Sequence, residues 1–304
     1  MLIRRFFQKV NSLRNSLNVM TDQMFVAVKA SGDRIPKIVH QTYAIDPESP
    51  DFPVAFKENL DALKRDNPEW EFRFYNDDDV IEFIQQKFPE LVEIYQRIDP
   101  RYGAARADFF RYLVVFEEGG LYLDVKSGAL RGFDDIIRED DKMILSFWPR
   151  SWPKNMLGQH PGITNSVGEL QQWYVAAISG HPLLASVINN VCYNIENYNP
   201  ILHDYGSWGV LNLTGPIAFT EAIYPQLDKH PHRLEEDHLV CGFEYSVLSS
   251  GEIFNVHQRE FSESHYSTLT VPVVRQSLPM NIQFLLSKPI VFSLRFLHRR
   301  MRKS

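Results

Sequence analysis

Apolar and polar residues alternate with two different periods along this chain, about 3.6 residues in some segments and two residues in others. Helical spacing in residues 54–66 ends at Asn67-Pro68, and the spacing that begins at Ala104 ends at Gly119-Gly120. Both ends carry residues that stop helices. The predicted helices are 54–66, 77 to about 88, 104–118, 183–196 and 216–226.

Short apolar runs lie between these helices and predict β-strands. The runs are Ile35–Thr42, Trp70–Tyr75, Leu121–Val125 and Met143–Trp148. Strands that alternate with helices are typical of a parallel α/β sheet. In such sheets ligands bind outside the carboxyl ends of the strands, so the residues at those ends are the first candidates for function.

Charged side chains flank the Gly119-Gly120 stop on both sides. Asp108 and Arg111 lie three residues apart and therefore share one face of the predicted helix. Asp124 lies near the carboxyl end of the following strand, where a carboxylate can contact a sugar hydroxyl or a metal bound to phosphate. The plainer alternatives are a surface ion pair for Asp108 and Arg111, worth about a few tenths of a kcal/mol, and a loop cap for Asp124.

This segment resembles the D-x-D sugar-binding glycosyltransferases, which include bacterial capsular-polysaccharide transferases, yeast α-1,6-mannosyltransferases and, more distantly, the clostridial glucosylating toxins. The family signature is roughly A-R-x-D-x-x-R-Y followed by G-G-x-Y-x-D-x-D. Residues 105–112 and 119–124 match it, but Lys126 replaces the second Asp of D-x-D. Further blocks follow in the family's order, namely IPKIVHQTY at 35–43, NPEW at 67–70, GHP at 180–182, TGP at 214–216 and, weakly, HY at 265–266.

The resemblance implies the GT-A nucleotide-diphospho-sugar transferase fold, an α/β architecture with a mostly parallel, Rossmann-like sheet flanked by helices. It also implies a hexosyltransferase that uses a UDP- or GDP-sugar, retains the anomeric configuration and serves polysaccharide or glycolipid biosynthesis, for example of a capsule. The acceptor would be a glycan or a lipid-linked acceptor. Because Lys126 replaces an acid, the alternative is a catalytically weak sugar-nucleotide or glycan-binding protein of the same fold.

The resemblance assigns the family's catalytic and donor-binding roles to residues at the ends of two predicted strands and on the predicted helix between them. Asp124 and Lys126 are the candidate catalytic residues. Tyr43 would stack on the nucleotide base, although a rim tyrosine of the core has the same pattern. The expected donor-binding residues are Gln41, Thr42, Tyr43, Asp108, Arg111, Tyr122 and Asp124.

Lys126 leaves the source of positive charge at the leaving diphosphate open. In the family the acids of D-x-D bind Mn²⁺ or Mg²⁺, and hard divalent cations need oxygen ligands. One hypothesis is that the Lys126 ammonium binds the phosphate directly and makes the reaction metal-independent. A second keeps the metal, bound by Asp124, the diphosphate, water and His265. A third is that Lys126 points to solvent.

Charge is distributed unevenly, although the whole chain carries a net charge of -6. Residues 1–37 contain seven Lys or Arg and two acids, and residues 288–304 contain six Lys or Arg and no acid, so the body between them is strongly acidic. Such a body argues against nucleic acid as a partner. The basic, apolar C-terminus is typical of an interfacial helix on an anionic membrane, or of a helix that packs on the domain.

Composition indicates a globular protein of ordinary hydrophobicity, with 44% apolar residues. The two cysteines, Cys192 and Cys241, lack metal-binding spacing and predict buried thiols. No apolar run reaches the roughly 18 residues of a membrane span. We therefore expect a cytoplasmic protein, which lies on the inner face of a membrane if the C-terminal helix is interfacial. The expected organisation is an N-terminal extension (1–33), a transferase domain (34–275) and a basic amphipathic segment (276–304).

Overall fold

A six-stranded sheet with the strand order β2-β1-β3-β6-β5-β7 organises the chain. The computed structural model describes residues 24–149 except 28, the single residues 158, 160, 163 and 165, and residues 168–200, 203–247, 266–279, 282 and 284–286. The strands are β1 (Ile38–Thr42), β2 (Glu71–Tyr75), β3 (Gly120–Leu123), β4 (Gly128–Ala129), β5 (Met143–Ser146), β6 (Tyr174–Ala177), β7 (Arg233–Glu235) and β8 (Phe243–Glu244). Strands β4 and β8 pair separately as a two-stranded sheet.

Helices connect most of these strands. The α-helices are α1 (Val54–Asp66), α2 (Asp77–Lys87), α3 (Val92–Gln96), α4 (Gly103–Glu118), α5 (Phe133–Ile136), α6 (Pro182–Glu196), α7 (Gly206–Leu213), α8 (Pro216–Ile223) and α9 (His238–Cys241). Three-residue to six-residue 3₁₀ helices span Pro89–Leu91, Tyr224–Lys229 and Tyr266–Thr268.

The prediction of a mostly parallel sheet is confirmed. Strand β1 pairs in parallel with β2 and β3, and β5 pairs in parallel with β7. Strand β6 runs antiparallel to both of its neighbours, β3 and β5. The amino end of β6 therefore lies at the same edge of the sheet as the carboxyl ends of β1, β3 and β5.

Local sequence signals account for the helix boundaries. Helix α1 buries Phe56, Leu60 and Leu63, which share one face at helical spacing. Asn76 caps α2 through a capping box with Asp79, in which each side chain accepts a backbone hydrogen bond from the other residue. The predicted helix 216–226 ends earlier, at Ile223, and continues as a 3₁₀ helix that contains Pro225. Proline removes a backbone donor that an α-helix needs.

Helix α4 is the central helix of the fold and is buried on nearly all sides. Phe109, Phe110 and Leu113 have no exposed surface, and Asp108 and Arg111 on the same helix are also buried. The helix packs on one face of β3 through Tyr122, whereas Leu121 and Leu123 point into a second core on the opposite face. Alternation along β3 therefore places Tyr122 on the same side of the sheet as Arg111.

The two ends of the chain are described only in part. Residues 1–23 lie outside the described residues, but the segment that follows them packs on the domain. The backbone amides of Phe25 and Val26 donate hydrogen bonds to the Asn189 side chain, and the amide of Gly32 donates to the Ser179 carbonyl. The division at residues 33 and 275 stays a prediction. Cys192 and Cys241 are buried free thiols, as expected. Within the described ranges, no helix has the length and hydropathy needed to cross a membrane.

Candidate functional site

The site that the sequence predicts lies where β1 and β3 end and β6 begins. His40 of β1 is in register with Tyr122 of β3. The next side chains on that face therefore lie at the same level, Thr42 as the last residue of β1 and Asp124 directly after β3. The backbone amide of Asp124 donates to the Trp173 carbonyl at 2.9 Å, immediately before β6. Side chains from three strand ends therefore converge at this edge.

Arg111 is the centre of the charged cluster. Its Nη2 lies 3.2 Å from Asp108 Oδ1 and 3.0 Å from Asp124 Oδ1, and its Nη1 donates to the Gln172 carbonyl at 2.8 Å and to the Gln172 side-chain oxygen. The guanidinium carbon lies 4.7 Å from the centre of the Tyr122 ring. A buried guanidinium needs this many partners, because an unpaired buried charge is very costly. Burial alone would lower the pKa of Arg111, but the charges of the two aspartates outweigh it and raise that pKa.

Asp108 is held by hydrogen bonds from two distant elements. Its Oδ1 accepts from Gln172 Nε2 at 3.2 Å, and its Oδ2 accepts from Thr214 Oγ1 at 3.0 Å. Burial raises the pKa of Asp108; Arg111 acts in the opposite direction and the charge of Asp124 adds to the rise. Since the Arg111 and Asp108 side chains are only 5% and 6% exposed, the alternative of a surface ion pair is wrong.

Lys126 points back at Asp124 rather than to solvent. Its ammonium lies 2.9 Å from Asp124 Oδ2 and 5.0 Å from the centre of the Tyr245 ring. The Lys126 side chain is 14% exposed, so the hypothesis that it points to solvent is wrong. Burial would lower the pKa of Lys126, but Asp124 outweighs that effect and raises it, so the amine is charged at neutral pH.

Hydrogen bonds to its backbone carbonyls fix the loop that carries Asp124 and Lys126. Asn59 Nδ2 donates to the carbonyls of Val125 and Ser127 at 3.1 and 2.8 Å. The Lys126 carbonyl accepts from the Val247 amide at 2.9 Å. These bonds from α1 and from the segment after β8 place the loop in one conformation.

The β1 residues of the predicted set have different environments. Thr42 Oγ1 donates to the Tyr75 carbonyl at 2.8 Å, which occupies this hydroxyl proton within the fold. Tyr43 is half-buried and packs edge-to-face against Phe52 and Phe56. Gln41 is 1% exposed, and neither polar atom of its amide has a hydrogen-bond partner among the residues that the structure describes. A buried amide without partners is costly, which makes Gln41 the least explained of the three.

Sequence reasoning missed Gln172 and Tyr245, and it treated Thr214 as part of a family block without a role. No motif marks Gln172, whose contact with Arg111 depends on the reversed direction of β6. Burial raises the pKa of Tyr266, and Tyr245 and the charges of Asp108 and Asp124 raise it further. His265, the second proposed metal ligand, lies outside the described residues.

The donor set that the structure describes does not fit a divalent cation. Both oxygens of Asp124 face cations, Arg111 on one side and Lys126 on the other. Among the described residues no group of three or more His, Cys, Asp or Glu could hold a metal ion. A hard cation bound here would have to displace an ammonium from its carboxylate.

Comparison with known families locates the same segment. Residues 53–143 match the family described as "Glycosyltransferase sugar-binding region containing DXD motif". This range includes Asp108, Arg111, Asp124 and Lys126, so the four charged residues of the cluster fall inside the matched region.

Two fungal relatives match a larger part of the chain. The "Initiation-specific alpha-1,6-mannosyltransferase" of Candida albicans is 25% identical over 214 residues, which cover 64% of this chain and 53% of the relative. The "Inositol phosphoceramide mannosyltransferase 3" of Schizosaccharomyces pombe is 29% identical over 198 residues, which cover 65% of this chain and 47% of the relative. The chain thus spans about half the length of these curated relatives.

A solved structure shows the fold. The "UDP-bound glycosyltransferase domain from the YGT toxin" superposes with a TM-score of 0.51 at 9% identity, covering 73% of this chain and 83% of that domain. The predicted GT-A fold and the resemblance to the D-x-D glycosyltransferases are therefore confirmed. Residues 53–143 thus match the family of glycosyltransferase sugar-binding regions that contain the DXD motif, and the chain has the α/β fold of a solved glycosyltransferase domain.

Proposed function

We propose that this chain is a glycosyltransferase that moves a hexose from a nucleoside-diphosphate sugar to a hydroxyl of a glycan or lipid-linked acceptor. The observation that carries the proposal is the buried Arg111, which joins Asp108 to Asp124 at the carboxyl end of β3. A cluster of charges this costly to bury is typical of a functional site. The family match, the fungal relatives and the fold all support transfer of a sugar.

Asp124 is the acid best placed to contact the donor. Its side chain is 16% exposed, whereas that of Asp108 is 6% exposed. We infer that Asp124 accepts hydrogen bonds from hydroxyls of the donor sugar or ribose. Asp108 and Arg111 then fix the position of Asp124. Tyr43 and Gln41 are the candidates for contacts with the base.

Lys126 supplies the positive charge for the leaving group in this proposal. Arg111 holds one oxygen of Asp124 by itself, so Lys126 can turn from the carboxylate to a diphosphate without leaving Asp124 unpaired. As the bond between the anomeric carbon and the phosphate oxygen breaks, its electrons stay on the diphosphate, and a fixed cation there lowers the barrier. The acceptor oxygen forms the new bond to the anomeric carbon, and its proton passes to an oxygen of the departing diphosphate. The family resemblance favours retention of configuration.

The names of the relatives favour a mannosyl donor and a lipid-linked acceptor for the first experiments. The proposed acceptor would lie at a membrane surface, which fits the uncovered apolar side chains near the C-terminus. Phe284 is buried and packs on Tyr205, but four neighbouring side chains are half or more exposed. These exposed residues are Leu278, Ile282, Leu285 and Leu286. The basic residues of 288–304 follow directly in the sequence.

Release of nucleoside diphosphate by the purified full chain tests the proposal. We expect release from GDP-mannose, or from another donor in a panel of UDP- and GDP-hexoses. Asp124→Asn should lower kcat at least about 100-fold, since it removes the charge while keeping the shape. Asp140→Asn, at an exposed acid, is the control. Donor binding without release by the wild-type chain would instead support the sugar-nucleotide-binding alternative.

A further inference from the structure

A second polar cluster lies beyond Lys126, on the β5 side of the site. Tyr245, whose ring faces the Lys126 ammonium, contacts Trp148 edge-to-face with ring centres 5.1 Å apart. Trp148 follows β5, and Tyr245 follows β8. Both rings are half-buried, so an aromatic wall extends from the charged cluster toward solvent.

At the far end of this wall, the buried carboxylate of Glu169 orients a histidine. Glu169 Oε1 accepts from Trp148 Nε1 at 3.0 Å, and Glu169 Oε2 pairs with His160 Nδ1. The Glu169 side chain is 1% exposed and that of His160 is 14% exposed. Because Nδ1 faces a carboxylate, it carries the ring proton in the neutral imidazole. The free lone pair is then on Nε2, on the opposite side of the ring.

The cluster is continuous with the donor site along the chain and in space. Glu169 lies three residues before Gln172, which binds Arg111 and Asp108. Trp208 of α7 packs perpendicular to His160 with ring centres 5.4 Å apart, and α7 leads directly to Thr214 at Asp108. The same two segments that complete the charged cluster therefore supply Glu169 and Trp208 to this second cluster.

We propose that His160, Trp148 and Trp208 bind the acceptor as a cyclic polyol, a sugar or inositol ring, beside the bound donor. An acceptor hydroxyl donates to His160 Nε2, and the half-exposed indole faces contact the C–H faces of the ring. Glu169 is a positioning residue, because it fixes the tautomer and orientation of His160 without contacting the acceptor. This inference rests on the proposed function, since the acceptor is defined by the sugar transferred to it.

The chemistry of the cluster favours a polyol over an apolar or anionic ligand. A carboxylate is costly to bury unless its oxygens are hydrogen-bonded. Here both donors come from side chains that are themselves partly exposed, not from backbone amides of the core. The Glu169 carboxylate thus fixes the positions of the His160 imidazole and the Trp148 indole. Together these rings offer a ligand one hydrogen-bond acceptor and apolar ring faces.

The experiment measures how the donor sugar partitions between an added acceptor and water. The probes are octyl α-mannopyranoside and detergent-dispersed inositol phosphoceramide, with the full chain and a fixed concentration of donor. His160→Ala should raise the acceptor KM and lower the ratio of transfer to donor hydrolysis at least about tenfold. Glu169→Gln should shift the same ratio less. His232→Ala, which lies outside the cluster, should leave the ratio at the wild-type value.

A binding measurement separates this inference from the proposed function. Methyl α-mannopyranoside and myo-inositol are titrated without donor, and the tryptophan fluorescence is recorded. We expect a saturable change in the wild-type chain that is weakened at least tenfold in His160→Ala and in Trp208→Phe. The second substitution keeps an aromatic ring at this position, and a melting curve equal to that of the wild type is its folding control. Failure of donor release alone contradicts the proposed function. An unchanged transfer ratio in His160→Ala, or no saturable polyol binding by the wild-type chain, overturns the acceptor site.

Discussion

At the scale of single residues, the site is a set of charges that are balanced pair by pair. Arg111 contacts two aspartates, and the remaining oxygen of Asp124 faces Lys126. Lys126 is more exposed than Arg111, with 14% against 5% of the side chain accessible, so it is the cation able to move toward a ligand. In the proposed function, the charge that meets the diphosphate is therefore the Lys126 ammonium and not a metal bound by a second Asp.

The first prediction concerns the source of that charge. Lys126→Ala should lower kcat/KM at least about 100-fold, roughly 3 kcal/mol, because the departing diphosphate loses its fixed cation. Wild-type activity should persist in EDTA. The assay is nucleoside diphosphate release, with Lys64→Ala, an exposed lysine of α1, as the control.

Replacing Lys126 with an acid should have the opposite effect on metal dependence. Lys126→Asp rebuilds D-x-D and removes the ammonium from Asp124, so its activity should require added Mn²⁺ or Mg²⁺. Loss of wild-type activity in EDTA with recovery in Mn²⁺ would contradict the lysine mechanism and restore the metal hypothesis.

At the scale of elements, the connection from α4 to β3 sets the positions of Asp108, Arg111 and Asp124 relative to one another. Gly119 and Gly120 have φ values of 74° and 102°, which side chains disfavour. A Cβ on Gly120 would lie 2.6 Å from the Ile38 carbonyl oxygen of β1. The glycine pair therefore ends the helix and also lets β3 approach β1.

Gly120→Ala should consequently destabilise the protein by on the order of 3 kcal/mol, from backbone strain together with a backbone clash. Urea unfolding monitored by circular dichroism measures the change in the free energy of unfolding. Gly103→Ala is the matched control, since a Cβ there meets nothing within 4 Å and the residue begins α4. Equal stability of the two variants would show that β3 does not need this close approach.

At the scale of the whole molecule, the C-terminal segment differs from the acidic body of the chain: it is basic, and it follows exposed apolar side chains. Residues 288–304 carry six Lys or Arg and no acid on a chain of net charge -6. The exposed side chains of Leu285 and Leu286 lie just before them. Basic residues beside apolar side chains are typical of binding to anionic membranes.

The full chain should therefore sediment with vesicles that contain phosphatidylserine, and not with pure phosphatidylcholine vesicles. Binding should weaken as salt rises, because the Debye length shortens from about 30 Å at 0.01 M to about 10 Å at 0.1 M. Deleting residues 288–304 should abolish sedimentation but leave release of nucleoside diphosphate from the donor. Sedimentation of the deleted chain equal to that of the full chain would exclude the basic segment as the membrane contact.

Much of the fold follows from local spacing. The helix at 54–66 and the stop at Gly119-Gly120 were predicted from apolar period and glycine alone, and both are confirmed. Strand β6 and helix α7 were not predicted as elements. Strand β6 contains only four residues, all buried, and a short apolar run of this kind has no period that identifies it.

The predicted site was incomplete for a related reason. Sequence spacing placed Asp108 and Arg111 on one face of a helix and Asp124 at the end of a strand, and the structure brings these three together with Tyr122 and Lys126. Their roles toward a ligand stay predictions. The aromatic and Glu169–His160 cluster had no signal, because its members come from separate segments and match no motif.

The sequence by itself determined the helix at 54–66, the helix stop at Gly119-Gly120 and the i, i+3 pairing of Asp108 with Arg111, because each depends on residues a few positions apart. Only the tertiary structure decided how that pair is buried and satisfied. Arg111 binds Gln172, 61 residues away, and Asp108 binds Thr214, 106 residues away. Tertiary packing also turned Lys126 onto Asp124. The physical reason is that desolvation makes each buried charge seek partners, and the folded topology, not the local spacing, determines which partners are near.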